Sequence, residues 1–375
     1  MKFSTLIIYN VPYLLVKAPI NYFQDMKSFE YYGKTHAVGN FSNVSLKNPN
    51  PNKKLYVIVI GESTSKTHFG LYDYYRETSP QLRAISDQLT ICEDVISPHS
   101  YTIATLTKAL TLGNTEKPEK ISSGSIIQLL NQAGFDTYWV SNQRPLGISE
   151  TQVTKIALGA SKTSFLNTKH TDEITPYDQV LVKALKEIVA SDGNSKVVFL
   201  HMIGTHIKYK NRFPKEFKYF KDRPQGRFVE KNNEHIINQY DDAIRYNDFI
   251  IRQIIDTVND ENLESFVLYT SDHGEEVFDD SKFFGHVDGM ITKSLFEIPM
   301  LLWQSKQHKA LKPLPQSLPY KYVIDDLFHS IADLCLVESD EVDTTRSIFN
   351  KGFNEKKRLI NDNIEYDSII NTLQY

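Results

Sequence analysis

Residues that could bind a metal ion directly follow apolar runs of this sequence. Glu62 comes after the run 55–60, and the pair Asp272 and His273 comes shortly after the run 266–269. Carboxylate and imidazole groups together suit Zn²⁺ or Mn²⁺. A single Asp-His pair is more often part of a turn or a helix cap than of a metal site. However, a third apolar run, 197–200, is also followed by potential ligands, His201 and His206. The repetition favours a metal site built at one edge of a sheet.

Thr102 is a candidate nucleophile. It stands where the polar loop 97–101 runs into a helical pattern that reaches Leu110. One interpretation is structural, since Ser and Thr are common helix caps. The other is chemical: a hydroxyl at a helix N-terminus lies where backbone N–H groups favour a phosphate, and a metal or base can activate it.

Strands and helices alternate along the chain, and they must position these groups. Short, β-branched apolar runs are typical of strands covered on both faces, whereas spacing of three to four residues indicates helices. The predicted strands are 55–60, 137–140, 197–200, 266–269 and 299–303. The predicted helices are 125–133, 176–189 (with Pro176 at its first position) and 236–258. This alternation predicts an α/β fold with helices on both faces of the sheet.

Composition excludes several other classes of protein. The 375 residues are 41% hydrophobic and 23% charged, which is ordinary for a globular chain. A net charge of −4 argues against a nucleic-acid binder. Cys92 and Cys335 lie in no metal-like spacing, and two free thiols are expected rather than one disulfide.

The chain divides into a lead-in and a catalytic part. Residues 1–52 form the lead-in, whose apolar stretch 3–16 is interrupted by Asn10 and Pro12. It is either an interfacial segment or the remnant of a membrane anchor, because it is shorter than the roughly 20 residues of a spanning helix. Residues 53–375 form the remainder, with a basic surface insertion at 208–233.

Taken in order, the motifs resemble those of the phosphoethanolamine transferases of bacterial envelopes, in the alkaline phosphatase and sulfatase superfamily. The segment 71–80 is similar to that family's Leu-Tyr-Gly-Tyr-x-Arg-x-Thr-x-Pro motif, with Asp73 in place of Gly. The segment 240–248 resembles its Tyr-Asp-Asn-x-Ile-x-Tyr-x-Asp helix. The likeness extends over about residues 53–370 and implies a mixed, mostly parallel sheet sandwiched by helices.

The resemblance also implies roles for individual residues. Glu62, Thr102, Asp272 and His273 match the zinc site, with Thr102 also the nucleophile. His206 and His286 match histidines that face the transferred phosphate, and Asn142 and Gln143 match a loop that contacts substrate. One Zn²⁺ is expected, a second remains open, and Mn²⁺ is not excluded. Glu275 and Glu276 are interpreted as solvated loop charges outside the site.

The implied reaction moves phosphoethanolamine from phosphatidylethanolamine to lipopolysaccharide or a periplasmic glycan, through a phosphothreonine. The expected location is the bacterial inner membrane or its periplasmic face, with a monomer acting at the membrane surface. His99 and Ser100 precede the nucleophile where a disulfide-rich subgroup has Cys, so the chain looks closer to the cysteine-poor subgroup.

Other functions of the same fold remain open. A phosphodiester hydrolase or a phosphoglycerol transferase is the nearest alternative. A sulfatase is disfavoured, because the Cys/Ser-x-Pro-x-Arg context is missing around Thr102. An inactive envelope-binding protein is disfavoured because the whole ligand set is retained.

Overall fold

The structure is a computed structural model, and it describes residues 37–49, 51–144, 151–167 and 175–372. The apolar stretch 3–16 lies outside the described residues. The strands are β1 Ser45–Leu46, β2 Lys54–Gly61, β3 Leu89–Ile96, β4 Asp136–Ser141, β5 Lys162–Phe165, β6 Lys196–His201, β7 Glu264–Ser271, β8 Glu276–Val277, β9 Phe284–Gly285, β10 Met300–Gln304, β11 Ser317–Val323, β12 Val337–Glu338, β13 Leu359–Ile360 and β14 Ile364–Glu365. The helices are α1 Pro80–Arg83, α2 Thr102–Ala109, α3 Ile126–Gln132, α4 Thr151–Ala157, α5 Gln179–Ala190, α6 Glu234–Asp260, α7 Lys293–Phe296, α8 Lys306–Leu311, α9 Leu327–Leu334 and α10 Tyr366–Thr372.

A central eight-stranded sheet organises the fold, in the order β11-β3-β10-β7-β2-β6-β4-β5. Only β10 runs against its neighbours β3 and β7, and the other seven strands share one direction. Their carboxyl ends therefore meet at one edge of the sheet, which we call the site edge. The prediction of a mixed, mostly parallel sheet is confirmed.

Helices cover both faces because the central strands are apolar on both sides. Along β2, Ile58 and Ile60 face a core that includes residues of α2, α3, α4 and α9. Val57 and Val59 face a second core, formed with α1, α5 and α6. All four side chains are buried. Burying apolar area on both sides is the main favourable term for such a sheet.

The predicted elements are largely confirmed, with shifted ends. All five predicted strands exist, and the helix 236–258 is α6. The helix predicted from Pro176 instead begins at Gln179, so Pro176 lies before it. The run 299–303 became the antiparallel β10. Three strands of the central sheet, β3, β5 and β11, were not predicted.

The basic segment 208–233 is attached to α6 through buried aromatic rings and one carboxylate. Tyr209, Phe213 and Phe220 are buried. The Asp242 carboxylate accepts the backbone N–H groups of Tyr219 and Phe220 at 2.9 and 3.0 Å. Arg212 is buried as well, whereas the other Lys and Arg residues of the segment are exposed.

At the N-terminal side, Phe41 is buried against the first core and β1 pairs with β12. Part of the predicted lead-in thus packs on the α/β body, and the boundary at residue 52 stays a prediction. None of the described helices combines the length and the apolar composition that crossing a bilayer requires.

Candidate active site at the carboxyl edge of the sheet

The register of two neighbouring strands brings Glu62 and Asp272 together. β2 and β7 pair in parallel, with Gly61 opposite Ser271 at their carboxyl ends, so the next residue of each strand enters the same space. His273 Nε2 lies 3.3 Å from Glu62 Oε1 and 3.5 Å from Asp272 Oδ2. The three side chains are fully buried.

The orientation of His273 leaves one ring nitrogen for a ligand role. Nδ1 lies 2.7 Å from the carbonyl oxygen of Gly274, to which it donates, and Nε2 points at the carboxylates. Burial alone would lower the pKa of His273, but the charges of Asp272 and Glu62 outweigh it and raise this pKa to about 10. The two carboxylates therefore stabilise a positive charge between them, either on His273 or on a bound cation.

Asp272 has an oxygen suited to a cation. Oδ1 accepts the backbone N–H groups of Ser63 and His273 at 3.1 and 2.7 Å. Oδ2 is buried and has no partner in hydrogen-bond geometry among the described residues. Burial and the adjacent Glu62 raise the pKa of Asp272 to about 8. Burial also opposes ionisation of Glu62, yet His273 holds the pKa of Glu62 well below its usual range.

Thr102 completes this cluster from a different element. It is the first residue of α2, and the residue before it, Tyr101, is extended. Its hydroxyl lies 3.1 and 3.2 Å from the two oxygens of Glu62, to which it donates, and 3.4 Å from His273 Nε2. The hydroxyl is thus directed at the carboxylate rather than used as a helix cap.

These donors fit a divalent metal ion. Glu62, Asp272 and His273 offer ligand atoms that all lie within 4.8 Å of one another. Two carboxylates, one imidazole and one hydroxyl form an oxygen-rich set of the kind that binds Zn²⁺ or Mn²⁺. Asp272 Oδ2 gives the same indication: it accepts no hydrogen bond among the described residues and has the 3.5 Å contact with His273 Nε2, and a buried carboxylate oxygen is costly unless it is paired.

The two amides after β4 have different positions. Gln143 Nε2 donates to Glu62 Oε2 at 2.7 Å and to the carbonyl of Met202 at 2.9 Å, so it fixes the carboxylate from outside the cluster. Asn142 Nδ2 instead donates to Asp178 Oδ1 and the carbonyl of Pro176. The structure therefore brings Gln143 to the site and leaves Asn142 in a supporting network.

His206 and His286 both reach the site edge. Their ring centroids are 6.2 Å apart, and that of His286 is 4.5 Å from that of His273. His286 Nδ1 lies 2.7 Å from Glu275 Oε2, which orients the ring. Burial lowers the pKa of His206, which favours its neutral form.

The prediction that Glu275 and Glu276 are solvated loop charges is wrong. Both side chains are fully buried. Glu275 Oε1 accepts a hydrogen bond from the Tyr209 hydroxyl at 2.7 Å. Together with His273 and His286, Glu275 forms a second cluster of side chains that could bind a metal ion. Proximity to His273 in the sequence was the one signal that could have placed Glu275 at the site.

Sequence reasoning noted His201 after an apolar run but assigned it no role in the site; it is the last residue of β6. Its Nδ1 lies 3.2 Å from Ser141 Oγ, and its Nε2 is buried without a hydrogen-bond partner among the described residues. Burial lowers the pKa of His201 to about 4, so the ring is neutral. It lines a small cavity together with Thr102 and Gln143.

Most of the chain is similar to known proteins. The sequence model of the sulfatase family matches residues 54–336, so the chain belongs to that family. A phosphonate monoester hydrolase of Agrobacterium radiobacter shares only the fold, with 10% identity and a TM-score of 0.58 over 78% of this chain and 75% of that one.

Within the sulfatase family, the chain is similar to phosphoethanolamine transferases. Phosphoethanolamine transferase EptC of Escherichia coli K12 is 32% identical over 90% of this chain and 60% of that protein. CptA of Salmonella typhimurium LT2 is 33% identical, with 85% and 57% covered. The crystal structure of the C-terminal periplasmic domain of E. coli EptC in complex with Zn has a TM-score of 0.82 and 32% identity, covering 88% of this chain and 97% of that one. The predicted resemblance is confirmed, and the chain spans about 60% of the length of the E. coli relative.

Proposed function

We propose that this chain transfers phosphoethanolamine from phosphatidylethanolamine to a hydroxyl of lipopolysaccharide or a periplasmic glycan, at the periplasmic face of the bacterial inner membrane. The observation that carries the proposal is the Thr102 hydroxyl, 3.1 Å from a buried carboxylate and 3.4 Å from His273 Nε2. The relatives EptC and CptA are both named phosphoethanolamine transferases, which supports phosphoethanolamine as the group transferred.

Glu62, Thr102, Asp272 and His273 would hold one Zn²⁺, which lowers the pKa of a bound hydroxyl and offsets charge on a phosphoryl group. The surrounding residues keep these ligands in place. Gln143 donates to Glu62, and the carbonyl of Gly274 fixes the His273 ring. Groups of this kind orient metal ligands and tune their basicity.

The reaction proceeds in two displacements at phosphorus. Thr102 Oγ1 passes its proton to the Glu62 carboxylate that it faces and attacks, the bond to the diacylglycerol oxygen breaks, and phosphoethanolamine is left on Thr102. The same carboxylate returns the proton to Oγ1 when the second displacement releases it. An acceptor hydroxyl then attacks the same phosphorus, and the bond to Oγ1 breaks. Such a sequence gives ping-pong kinetics.

His206 and His286 would act on the leaving and attacking oxygens. In the first displacement His286 donates a proton to the departing diacylglycerol oxygen, and in the second it takes one from the acceptor, while the neutral His206 ring hydrogen-bonds the phosphoryl oxygens. Their rings lie beside the cluster, and Glu275 fixes one nitrogen of His286. The N-terminus of α2, where Thr102 lies, adds backbone N–H groups that favour the phosphoryl oxygens.

The test is the detection of the covalent intermediate. After incubation with phosphatidylethanolamine, mass spectrometry of the digested protein should find phosphoethanolamine on Thr102. Thr102→Ala should lack both this adduct and transfer while keeping the parent's melting temperature. Ser100→Ala is the matched control, because the Ser100 hydroxyl faces the carbonyl of Val287 at 3.4 Å.

Two results would contradict the proposal. Transfer at the parent's rate by Thr102→Ala would place the nucleophile elsewhere. Release of free phosphoethanolamine to water, with no modified acceptor, would instead establish a phosphodiester hydrolase.

A further inference from the structure

Four exposed apolar side chains stand at the mouth of the site. Ile207, Phe283, Phe284 and Val287 are 40%, 36%, 38% and 45% exposed. Ile207 directly follows His206, and Phe284 and Val287 flank His286 in the sequence. We call these four side chains the apolar rim.

The members of the apolar rim come from two segments that meet. A Cβ placed on Gly285 would lie 3.7 Å from the Phe283 ring and 3.9 Å from the Ile207 Cδ1 atom, so both side chains flank the same glycine. The carbonyl of Val287 faces the Ser100 hydroxyl, in the loop that leads to Thr102. Exposed apolar side chains clustered beside a site are typical of an interaction surface.

The segment that continues from Ile207 is strongly basic. Residues 208–233 contain nine Lys or Arg and three Asp or Glu, although the whole chain has a net charge of −4. Lys208 and Lys210 are exposed. On the other side of the rim, Lys282 precedes Phe283, and its Nζ lies 3.2 Å from Glu230 Oε1, which joins the β8–β9 hairpin to the basic segment.

We propose that the apolar rim and the basic segment 208–233 form a docking surface for an anionic lipid bilayer. The rim side chains enter the interfacial layer, and the lysines lie over acidic headgroups. This inference rests on the proposed function, since it explains how a lipid headgroup reaches Thr102 without leaving its bilayer. Apolar and aromatic side chains next to Lys and Arg are the combination that binds bilayer interfaces.

A polyanionic glycan would fit this surface less well. Phosphates and carboxylates on a glycan would engage the lysines, but they would leave the rings of Phe283 and Phe284 exposed to water. Burial of those rings in the interface is favourable in proportion to the apolar area removed from water. A bilayer therefore explains both the charge and the rim, whereas a glycan explains the charge alone.

The test measures binding of the purified chain to vesicles of phosphatidylethanolamine and phosphatidylglycerol by flotation. The double variant Phe283→Ser/Val287→Ser should bind about tenfold more weakly than the parent, from the loss of buried apolar area. Lys208→Gln should bind about fivefold more weakly at low salt. Binding by the parent should weaken as salt shortens the Debye length from about 10 Å at 0.1 M to about 3 Å at 1 M.

Two controls separate this proposal from the proposed function. The first control is Leu311→Ser, which removes an apolar side chain of similar exposure, 41%. Leu311 lies in α8, which follows the antiparallel β10 and therefore lies at the opposite edge of the sheet from the site. This variant should bind vesicles like the parent. Thr102→Ala should also bind like the parent, even though it cannot transfer. Equal binding by the rim variant and the parent, with melting temperatures unchanged, would overturn the docking surface. So would binding of lipopolysaccharide sugars without lipid in the absence of vesicle binding.

Discussion

Replacing His68 should change how the stability of this protein depends on pH. The ring is 2% exposed, and both of its nitrogens face carboxylates. Nδ1 lies 2.6 Å from Asp241 in α6, and Nε2 lies 3.0 Å from Asp279 in the β8–β9 hairpin. Burial alone would lower the pKa of His68, but Asp279 and Asp241 outweigh it and raise this pKa to about 10.

The sign and size of the effect follow from proton linkage. The unfolded chain titrates near pH 6.5, so between pH 6.5 and 10 the folded protein holds one proton more at His68. The stabilisation is fully present below pH 6.5 and declines by about 1.4 kcal/mol per pH unit as the pH rises towards 10. Between pH 6.5 and 9.5 the decline is on the order of 4 kcal/mol.

Urea unfolding of the parent and His68→Gln measures this decline. The difference between their free energies of unfolding should be largest at pH 6.5 and should shrink by about 4 kcal/mol by pH 9.5. His235→Gln, which alters an exposed histidine of α6, should leave the parent's pH profile unchanged. Parallel profiles for the parent and His68→Gln would refute the assignment of a charged His68.

Three further predictions concern the site. Asp272→Asn should lose bound zinc and activity together, and full metal content in this variant would contradict its ligand role. Gln143→Ala should weaken zinc affinity by about 10- to 100-fold in competition with a chelator, since it removes the amide that fixes Glu62, and unchanged affinity would remove Gln143 from this role. His206→Ala and His286→Ala should keep about one metal per chain and slow single turnover by about 10²- to 10⁴-fold, whereas a purely structural role predicts lower melting temperatures with near-normal chemistry.

Two motifs recognised in the sequence acquire a physical role only in the structure. Arg76, from the segment 71–80, donates to Asp241 at 2.7 Å, and both are buried. Asp248, from the segment 240–248, accepts the backbone N–H groups of Gln81 and Leu82 at the start of α1. The motifs therefore join α6 to the loop after β2 rather than supply reacting groups.

Much of the site could be predicted from the sequence because strand ends have a local signature. An apolar, β-branched run followed by polar residues marks the carboxyl end of a buried strand, and parallel strands bring such ends to one edge. Glu62 and Asp272 were expected together for this reason, and the register of β2 with β7 confirms it. The helix that starts at Thr102 was predicted from a different signal, the polar loop that runs into a helical pattern.

Other features were decided by contacts between distant segments. The burial of Glu275 depends on Tyr209, which is 66 residues away, and that of Glu276 on Ser294. The direction of β10 could not be predicted, because an apolar run has the same composition in a parallel and in an antiparallel strand. It is set by the segments that connect β10 to the rest of the sheet. Asn142 and Gln143 are adjacent and chemically alike, yet neighbouring side chains diverge and only Gln143 meets Glu62. The sequence determined which groups can bind a metal and where the strands end, while the tertiary structure decided which of the neighbouring polar groups face the site, because burial and orientation depend on partners remote in the chain.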